Sequence, residues 1–480
     1  MTYLSVILVY LFALIAIGIV KSRKIHTQSD FALAGRGLTP WVLVGTMLAT
    51  WIGTGSILGN AGKTYETGMA ALMLPIGSIL GIILLTRIAG KVRSYEKYTV
   101  PEIIGDRYGP VARNLSVFAL VMAYMVIVSY QYNAGGAVLY TILADNTGTS
   151  IINIELATII AAVFIIAYTM LAGLLSVAYT DAANSIIMTL ALIISLPILW
   201  IKAGSWSGME TAFAAMNKSQ HMQFGGVYSA MDIINFCLPP FLLVIGDANM
   251  YQRFSASKDV QSARYSTTIL VFAVLFIELL IIVSAWVSSS MIPEAEVGKH
   301  VLIYAAHQFL PTFLGAIMLT TIVGIIISTA DSFLLVPANT LIRDIYLNYI
   351  NPQASEKNIV RLSRLLVLLL GIIAYIVSIG FSRSAGFFER ALYAYTIYGA
   401  AITPTLVAAL FWRGATKEGA VASIICGTLV TLFWKELPGL WFWLPTEWYI
   451  SLDEVLPAIS CSLLALICVS YLTKKADPGK

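Results

Sequence analysis

Four carboxylates stand inside otherwise apolar stretches of the chain, at Asp181, Asp247, Glu278 and Asp331. A carboxylate at the centre of a bilayer costs about 2.5–3.5 kcal/mol on insertion scales and is usually functional. No Lys or Arg is expected deep in the same stretches, because the cationic residues fall in the polar connections. Acidic groups without a fixed cationic partner suit a mobile cation, so these positions indicate a site for a metal ion or a proton.

Hydroxyl side chains flank one of these carboxylates. In the segment IIISTADSFLL, Asp331 is surrounded by Ser328, Thr329 and Ser332. Such side chains at adjacent helical positions supply hard oxygen ligands. A lone helical hydroxyl more often donates to the carbonyl four residues before it, but three beside an aspartate favour a cation site. Glu278 has no such neighbours, and a bond to a neighbouring helix explains it equally well.

The elements that position these residues must be membrane spans. The chain has 480 residues, of which 59% are hydrophobic and only 11% charged, against about 25% charged in an average soluble domain. This composition excludes soluble, disordered and disulfide-rich secreted classes, and predicts an all-α integral membrane protein. A spanning helix needs ~20 apolar residues, and about thirteen stretches are long enough. They are 2–20, 41–60, 67–90, 112–143, 151–172, 175–203, 232–252, 267–292, 311–347, 361–382, 387–412, 417–434 and 455–473.

The cationic residues predict an orientation in the membrane. Of the 29 Lys and Arg residues, 22 fall in connections on one side and 7 on the other, counted over alternate connections. The richer side is expected to be cytosolic, which places the N-terminus outside and the C-terminus in the cytosol of a multi-pass plasma-membrane protein. The lipid bilayer is then its main surroundings, and nothing in the sequence indicates nucleic acid or an obligate protein partner.

Two spans carry helix-breaking residues at corresponding positions. The second span has Gly53 and Gly55 in its middle, and the seventh has Pro239-Pro240 and Gly246. Each opens a group of five spans, and paired interrupted spans of this kind indicate a transporter built from inverted repeats, with its site at the breaks. The alternative is that Gly and Pro serve helix packing, as they often do in membrane helices.

Three segments resemble the family of sodium/solute symporters, which carry sugars, proline, pantothenate, choline, sialic acid and iodide. They are TMLATWIGTGSILGN (46–60), GLLSVAYTDAAN (173–184) and STADSFLLVPANTLIRDIY (328–346), and they look closest to the choline-transporter branch. The resemblance implies a leucine-transporter-like fold in a single transmembrane domain, 1–480. It also implies inverted five-helix repeats over about 41–203 and 232–412, with flanking helices 2–20, 417–434 and 455–473.

The resemblance also implies ion sites, with Na⁺ as the coupling ion. The principal sodium site would use the carbonyls of Ala49, Ile52 and Ile325 with the hydroxyls of Ser328 and Thr329. Five uncharged oxygens suit a monovalent hard cation that must be released again. A second site in some members maps to Asp181, Ser328, Asp331 and Ser332. Because Asp331 replaces a serine of those members, a second ion site, a proton relay and a structural carboxylate all stay open.

The substrate site is expected at the membrane midplane between the broken spans. The candidates are Trp51, Tyr130, Gln131, Asn133, Asp247, Asn249 and Tyr398. Trp51 matches the cage tryptophan of the choline branch, but Tyr130 and Asp247 stand where that branch has further tryptophans. An acid beside an aromatic ring suits a positively charged nitrogen, which predicts an amine, amino acid or other zwitterion. The alternative, that Trp51 packs in the bundle and Asp247 is a gate or loop-end residue, has equal weight.

These observations favour sodium-coupled symport of a small organic solute into the cytosol by alternating access. A proton-coupled symporter, or a sugar or monocarboxylate symporter of the same fold, is the alternative. A channel or facilitator would need a continuous polar lining, and a membrane sensor would need a signalling domain. The sequence has no Walker A, HExxH or nucleophile–base pattern, so an enzyme is not expected.

Overall fold

The computed structural model describes residues 2–22, 27–144, 150–294, 298, 300–381, 386–435, 449 and 451–474. Long helices joined by short connections make up nearly all of this part of the chain. The helices are α1 (Thr2–Ser22), α2 (Gln28–Leu33), α3 (Pro40–Trp51), α4 (Ala61–Thr67), α5 (Ile76–Tyr95), α6 (Val100–Tyr108), α7 (Pro110–Ile142), α8 (Ile154–Lys202), α9 (Ser205–Ala215), α10 (Ala230–Gly246), α11 (Ala248–Ala256), α12 (Val260–Ser289), α13 (Val301–Gln308), α14 (Thr312–Thr340), α15 (Glu356–Phe381), α16 (Phe387–Ala401), α17 (Thr403–Phe411), α18 (Lys417–Phe433) and α19 (Val455–Thr473). Wider π-helical turns cover Gly55–Asn60 and Leu341–Ile350, and short 3₁₀ turns cover Ala34–Arg36, Gly68–Met73 and Ser219–Met222.

The all-helical membrane architecture is confirmed. Within the described residues, eight helices are long and apolar enough to cross a membrane, and a bent pair makes a ninth. Each of the thirteen stretches named from the sequence lies on helix, but that number of spans stays a prediction. The number of long helices is smaller than thirteen partly because of α8, whose 49 residues hold two of the stretches and bend at Gly173. Its φ of 57° lies in the left-handed region that only glycine adopts readily.

The bundle has a buried centre and an apolar outer layer. In α14 and its continuation, 78% of the most apolar stretch is buried, whereas only 33% is buried in α15 and in α19. The helix α14 packs against α3, α7 and α8, and the outer helices leave large apolar side chains exposed, such as Ile372, Ile373 and Ile376. In a bilayer these side chains contact lipid. The central helices are therefore the ones that can enclose polar groups.

The predicted break in the second span is present. The helix α3 ends at Trp51, and the next residue, Ile52, leaves the helical conformation with ψ 88°. The chain then continues through the turn Gly55–Asn60 at an angle of 52° to α3. Helix ends leave carbonyl groups without partners in the helix, so this break exposes backbone oxygens in the middle of the protein.

The seventh span is also broken, at Asp247, well beyond its two prolines. Pro239 and Pro240 stay inside α10, which ends at Gly246, and α11 starts at Ala248. Between them, Asp247 has ψ 114° and its side chain accepts a hydrogen bond from the backbone N–H of Asn249 at 3.1 Å. This aspartate caps the second half of the span, as carboxylates commonly do at helix starts.

Candidate ion and substrate sites

Three of the five oxygens expected at the principal sodium site lie together. The carbonyl oxygen of Ala49, in the last turn of α3, is 3.5 Å from the Ser328 hydroxyl and 3.3 Å from the Thr329 hydroxyl. All three residues are buried. The other two members, Ile52 and Ile325, are buried residues of the same two segments, at the break and one turn before Thr329. The junction of α3 and α14 thus presents neutral oxygens of the type that a hard monovalent cation prefers.

Asp181 binds to both of these helices. Its carboxylate accepts hydrogen bonds from the Thr46 hydroxyl, at 2.6 Å, and from the Ser328 hydroxyl. The side chain is completely buried on α8. Because Ser328 belongs to the expected sodium site and also bonds to Asp181, the carboxylate lies directly behind that site.

The expectation that no Lys or Arg lies deep in the spans is wrong at Arg253. The guanidinium is 0% exposed and its Nη2 atom lies 3.4 Å from Asp181 Oδ2. It also donates to the hydroxyls of Thr46, at 3.0 Å, and Ser332, at 2.7 Å. The apolar stretch 232–252 stops just before Arg253, which suggested a cytosolic loop. In the structure the broken span restarts as α11 and carries Arg253 into the core.

Asp331 is less well satisfied than Asp181. It is buried on α14, and within the part of the chain that the structure describes its Oδ1 atom has no hydrogen-bond partner. Its electrostatic neighbours include Asp181, Arg253 and the hydroxyl-bearing ring of Tyr168. Arg253 forms an ion pair with Asp181 but, among the described residues, not with Asp331, and Asp247 is a further electrostatic neighbour of the same guanidinium.

A cavity adjoins the break in the second span, and Trp51 lines it. The walls come from the turn Gly55–Asn60 and from α5, α10, α12 and α16. The indole of Trp51 stacks with Tyr395, with ring centroids 6.4 Å apart and an interplanar angle of 27°. The lining also includes Ser56, Phe236, Glu278 and Phe388.

Two further substrate candidates lie next to this cavity wall. Tyr130 is a hydrogen-bonding neighbour of Tyr395, and the amide oxygen of Gln131 accepts a hydrogen bond from Thr54, inside the break. An atom added at Gly53 would be 3.3 Å from the Gln131 amide nitrogen. Both residues therefore support the wall from α7 without being part of the cavity surface.

The remaining candidates lie elsewhere. Asp247, Asn249 and Tyr398 form a buried cluster at the break of the seventh span, where Tyr398 donates to the Gly246 carbonyl at 2.8 Å. Asp247 also accepts a hydrogen bond from Tyr124. Asn133 donates to the Ser378 carbonyl on α15, at 3.4 Å, and so points away from the broken spans.

Glu278, for which the sequence leaves open a cation site or a bond to a neighbouring helix, lies in the cavity wall and bonds to the turn Gly55–Asn60. Its two oxygens accept hydrogen bonds from the Ser56 hydroxyl at 2.6 Å and the Asn60 amide at 3.0 Å. Ser56 and Asn60 are four residues apart on one helical turn and face α12 together. An acidic residue in an apolar helix marks Glu278 in the sequence. Its hydrogen-bond partners could not be found there, because they lie 222 and 218 residues away along the chain.

Comparison with known proteins agrees with this geometry. The profile of the Sodium:solute symporter family matches residues 31–427. The chain belongs to the sodium:solute symporter family. Sodium is its coupling ion, its cargo is a small solute, and it is a multi-pass membrane transporter rather than an enzyme.

Two relatives of similar length are proline transporters. The sodium/proline symporter of Haemophilus influenzae is 25% identical over 503 residues, covering 98% of this chain and 94% of that protein. The osmoregulated proline transporter of Bacillus subtilis is 24% identical, covering 97% of this chain and 94% of that one. The closer likeness to the choline branch stays a prediction.

Two solved structures share the fold. A substrate-bound, outward-open Na⁺-coupled sialic acid symporter superposes with a TM-score of 0.81 at 15% identity, covering 99% of this chain and 98% of that one. A nucleobase-cation-symport-1 family transporter in a closed conformation gives a TM-score of 0.57 at 12% identity, with 93% and 96% coverage. The leucine-transporter-like fold expected from the sequence is confirmed.

Proposed function

We propose that this symporter carries a small amino-acid-like zwitterion into the cytosol together with sodium, and that proline is the first solute to test. The observation that supports this most is the position of the Ala49 carbonyl against the Ser328 and Thr329 hydroxyls. Ala49 lies two residues before Trp51, and Trp51 lines the cavity. An ion and a solute bound at these places would contact the same break. The proline symporters among the relatives support the choice of solute.

In this proposal sodium holds α3 and α14 together. The ion would be bound by the carbonyls of Ala49, Ile52 and Ile325 and by the two hydroxyls, without any charged ligand. Neutral ligands leave the ion weakly enough bound to be released on the cytosolic side. Since only a conformation that brings α3 to α14 offers all five oxygens, sodium would favour that conformation, and the solute would favour it too.

We assign a second cation to the cluster of Asp181, Asp331 and Ser332. Asp181 is already paired with Arg253, whereas Asp331 keeps an unpartnered oxygen among the described residues. One monovalent cation bound there would compensate the charge of the Asp331 carboxylate. A proton bound to Asp331 would do the same, and a count of sodium ions per solute distinguishes the two. Asp331→Asn is expected to lower that count by one.

We place the solute against Trp51, with Tyr130 and Gln131 supporting that wall from α7. The cluster of Asp247, Asn249 and Tyr398 would close the site at the break of the seventh span and separate when the cytosolic side opens. Asn133 has no part in this assignment. Inverted repeats over about 41–203 and 232–412, as predicted from the sequence, would supply the two broken spans in equivalent positions.

The orientation follows from the distribution of Lys and Arg, with the N-terminus outside and the C-terminus in the cytosol. The cationic positions 23, 24, 299, 383, 475 and 480 of that distribution lie outside the described residues. To test the assignment, a single cysteine is placed at one end or the other of a cysteine-free variant of the protein, and each variant is expressed in intact cells. Labelling by an impermeant thiol reagent is expected at the N-terminal end alone.

Transport itself is tested in proteoliposomes with an imposed inward sodium gradient. Labelled proline should accumulate, and accumulation should vanish when potassium replaces sodium or when the gradient is collapsed. Glucose, lactate and choline serve as comparison solutes. Accumulation of proline that persists without a sodium gradient would refute sodium coupling, and accumulation driven by a pH gradient would favour the proton-coupled alternative.

A further inference from the structure

Glu278 is a buried carboxylate in the cavity wall that the ion and substrate assignments above leave unused. Its side chain is 2% exposed, at the middle of α12. Within the described residues, no Lys, Arg or His forms an ion pair with it, in contrast to Asp181. A charge in such a place is expensive unless something compensates it.

The hydrogen bonds to Glu278 are incomplete. An ionised carboxylate offers about four acceptor positions, and Ser56 and Asn60 fill one on each oxygen. Both donors are neutral, so they orient the carboxylate without balancing its charge. A cationic group in the cavity would fill the open positions and supply the missing charge.

The surrounding rings suit the same kind of group. Trp51 and Tyr395 stack beside the carboxylate's cavity, and Phe236 meets Phe388 edge-on with centroids 5.3 Å apart. Aromatic faces attract cations, and most strongly when water is excluded. Lys63 shows this attraction directly, because its ammonium lies 5.6 Å from the centroid of Phe236 and 5.9 Å from that of Phe388.

That lysine does not neutralise Glu278. Its ammonium pairs with Glu66 at 2.8 Å, within α4. Asp247, the other acidic candidate, is outside the cavity lining and caps α11 while bonded to Tyr124. The carboxylate of Glu278 is therefore better placed than that of Asp247 to meet a ligand in the cavity.

We propose that Glu278 is a specificity-determining residue that binds the positively charged nitrogen of the transported solute. This rests on the proposed function, since it names the chemistry recognised in the same cavity. The solute class is a small primary or secondary ammonium, alone or in a zwitterion. A sugar or a monocarboxylate would leave the carboxylate unbalanced and is excluded by it.

The test uses three probes of one ring size with purified full-length protein in sodium chloride. Pyrrolidine carries the cation alone, proline carries cation and carboxylate, and tetrahydrofuran-2-carboxylate keeps the carboxylate but has no nitrogen. Thermal stabilisation at increasing probe concentration gives an apparent affinity by mass action. This readout needs no transport, so a failure of sodium-driven uptake and a failure of this inference are seen separately.

In the wild type, proline and pyrrolidine are expected to stabilise the protein, and the oxygen analogue is not. Glu278→Gln should lower the apparent affinity for both nitrogen compounds by roughly tenfold or more, since a charge-assisted contact is lost. Its stabilisation by sodium alone should stay unchanged, which shows that the variant is folded. The matched control is Glu210→Gln, the same change at an exposed glutamate on α9, and it should behave as the wild type.

Equal affinities of wild type and Glu278→Gln for proline and pyrrolidine would overturn the proposal. So would stabilisation of the wild type by the oxygen analogue in preference to pyrrolidine, or no stabilisation by either nitrogen compound. These last two outcomes concern the wild type and stay decisive if Glu278→Gln does not fold. Glu278→Asp, which keeps the charge, should retain the preference for nitrogen at lower affinity.

Discussion

The guanidinium of Arg253 lies 3.4 Å from the carboxylate of Asp181, and neither side chain reaches solvent. Arg253 belongs to the second half of the broken seventh span and Asp181 to α8. The hydroxyl of Thr46, on α3, bonds to both residues. This buried ion pair thus links the seventh span to α8, and the Thr46 hydroxyl ties both residues to the second span, directly behind the expected sodium site.

Removing one partner of this pair should destabilise the protein strongly. Arg253→Gln leaves Asp181 buried without its cation, which typically costs about 3–5 kcal/mol. We expect a clear fall in the melting temperature of the detergent-purified protein. The double variant Arg253→Gln with Asp181→Asn removes both charges and should recover part of the loss.

The control for that variant is Lys417→Gln. The Lys417 side chain is 72% exposed and pairs with Glu418, 44% exposed, at 3.5 Å, and exposed pairs contribute about 0–1 kcal/mol. A melting temperature lowered equally by both single variants would contradict the role given to the buried pair.

The hydroxyls of Ser328 and Thr329 should set the affinity for sodium. Replacing either residue by alanine removes one oxygen from the site, and a bond to a charged group is worth about 1.5–3 kcal/mol. We therefore expect the sodium concentration for half-maximal uptake to rise roughly tenfold or more. The maximal rate at saturating sodium should change less.

Thr320→Ala is the control for those hydroxyls. Thr320 is a buried threonine of the same helix, but its hydroxyl donates to the Ala316 carbonyl of α14 itself, at 2.7 Å. Its loss should leave the sodium dependence unchanged. A sodium dependence that does not move in Ser328→Ala and Thr329→Ala would rule out this site.

Gly53 lets α14 approach the break of the second span. A Cβ atom there would lie 3.0 Å from both Thr329 Oγ1 and Cγ2, which is tighter than ordinary van der Waals contact. Gly53→Ala should push the Thr329 hydroxyl away and lower sodium affinity in uptake assays. In Gly380→Ala the added atom meets nothing within 4 Å among the described atoms, and normal sodium affinity is expected. Equal effects at the two positions would argue against the packing explanation.

His221 should make the stability of the folded protein sensitive to acid. The residue lies in the connection between α9 and α10, with its ring 5.1 Å from that of Phe213. Burial, helped by Lys218, lowers the pKa of His221 to about 4. Between pH ~6.5 and ~4, His221 is therefore protonated in the unfolded chain but stays neutral in the folded protein.

The contribution of the neutral, buried His221 to the free energy of unfolding is consequently present in full above pH ~6.5. It is lost progressively as the pH falls towards 4. Melting temperatures of the wild type and of His221→Gln, measured across this range, check the point. The difference between the two proteins should change with pH in favour of the variant on acidification. A difference that is constant from pH 7 to pH 4.5 would exclude His221 as the source.

Much of the fold could be predicted from the sequence because the bilayer fixes the length and polarity of a span. The stretch 361–382 corresponds to α15, and 455–473 to α19 without displacement. The end of the seventh span could not be found in this way. Its break at Gly246 and Asp247 hides the continuation α11, and an apolar window that stops at residue 252 assigns Arg253 to a loop.

The site was predictable only where a family motif carries it. The group of Ala49, Ser328 and Thr329 follows from such motifs, although the distances among them do not. The contacts of Arg253 with Asp181 and of Glu278 with Ser56 join residues 72 and 222 positions apart. Such pairs depend on how the helices pack around each other, which no local pattern of residues encodes.

The most direct test of the central claim is the entry of radioactive sodium into proteoliposomes with and without the transported solute. The account predicts that the solute increases sodium entry in a fixed ratio. It also predicts that Thr329→Ala requires more sodium for the same flux, whereas Thr320→Ala does not. Solute accumulation without matching sodium entry would contradict it, as would an unchanged sodium requirement in Thr329→Ala.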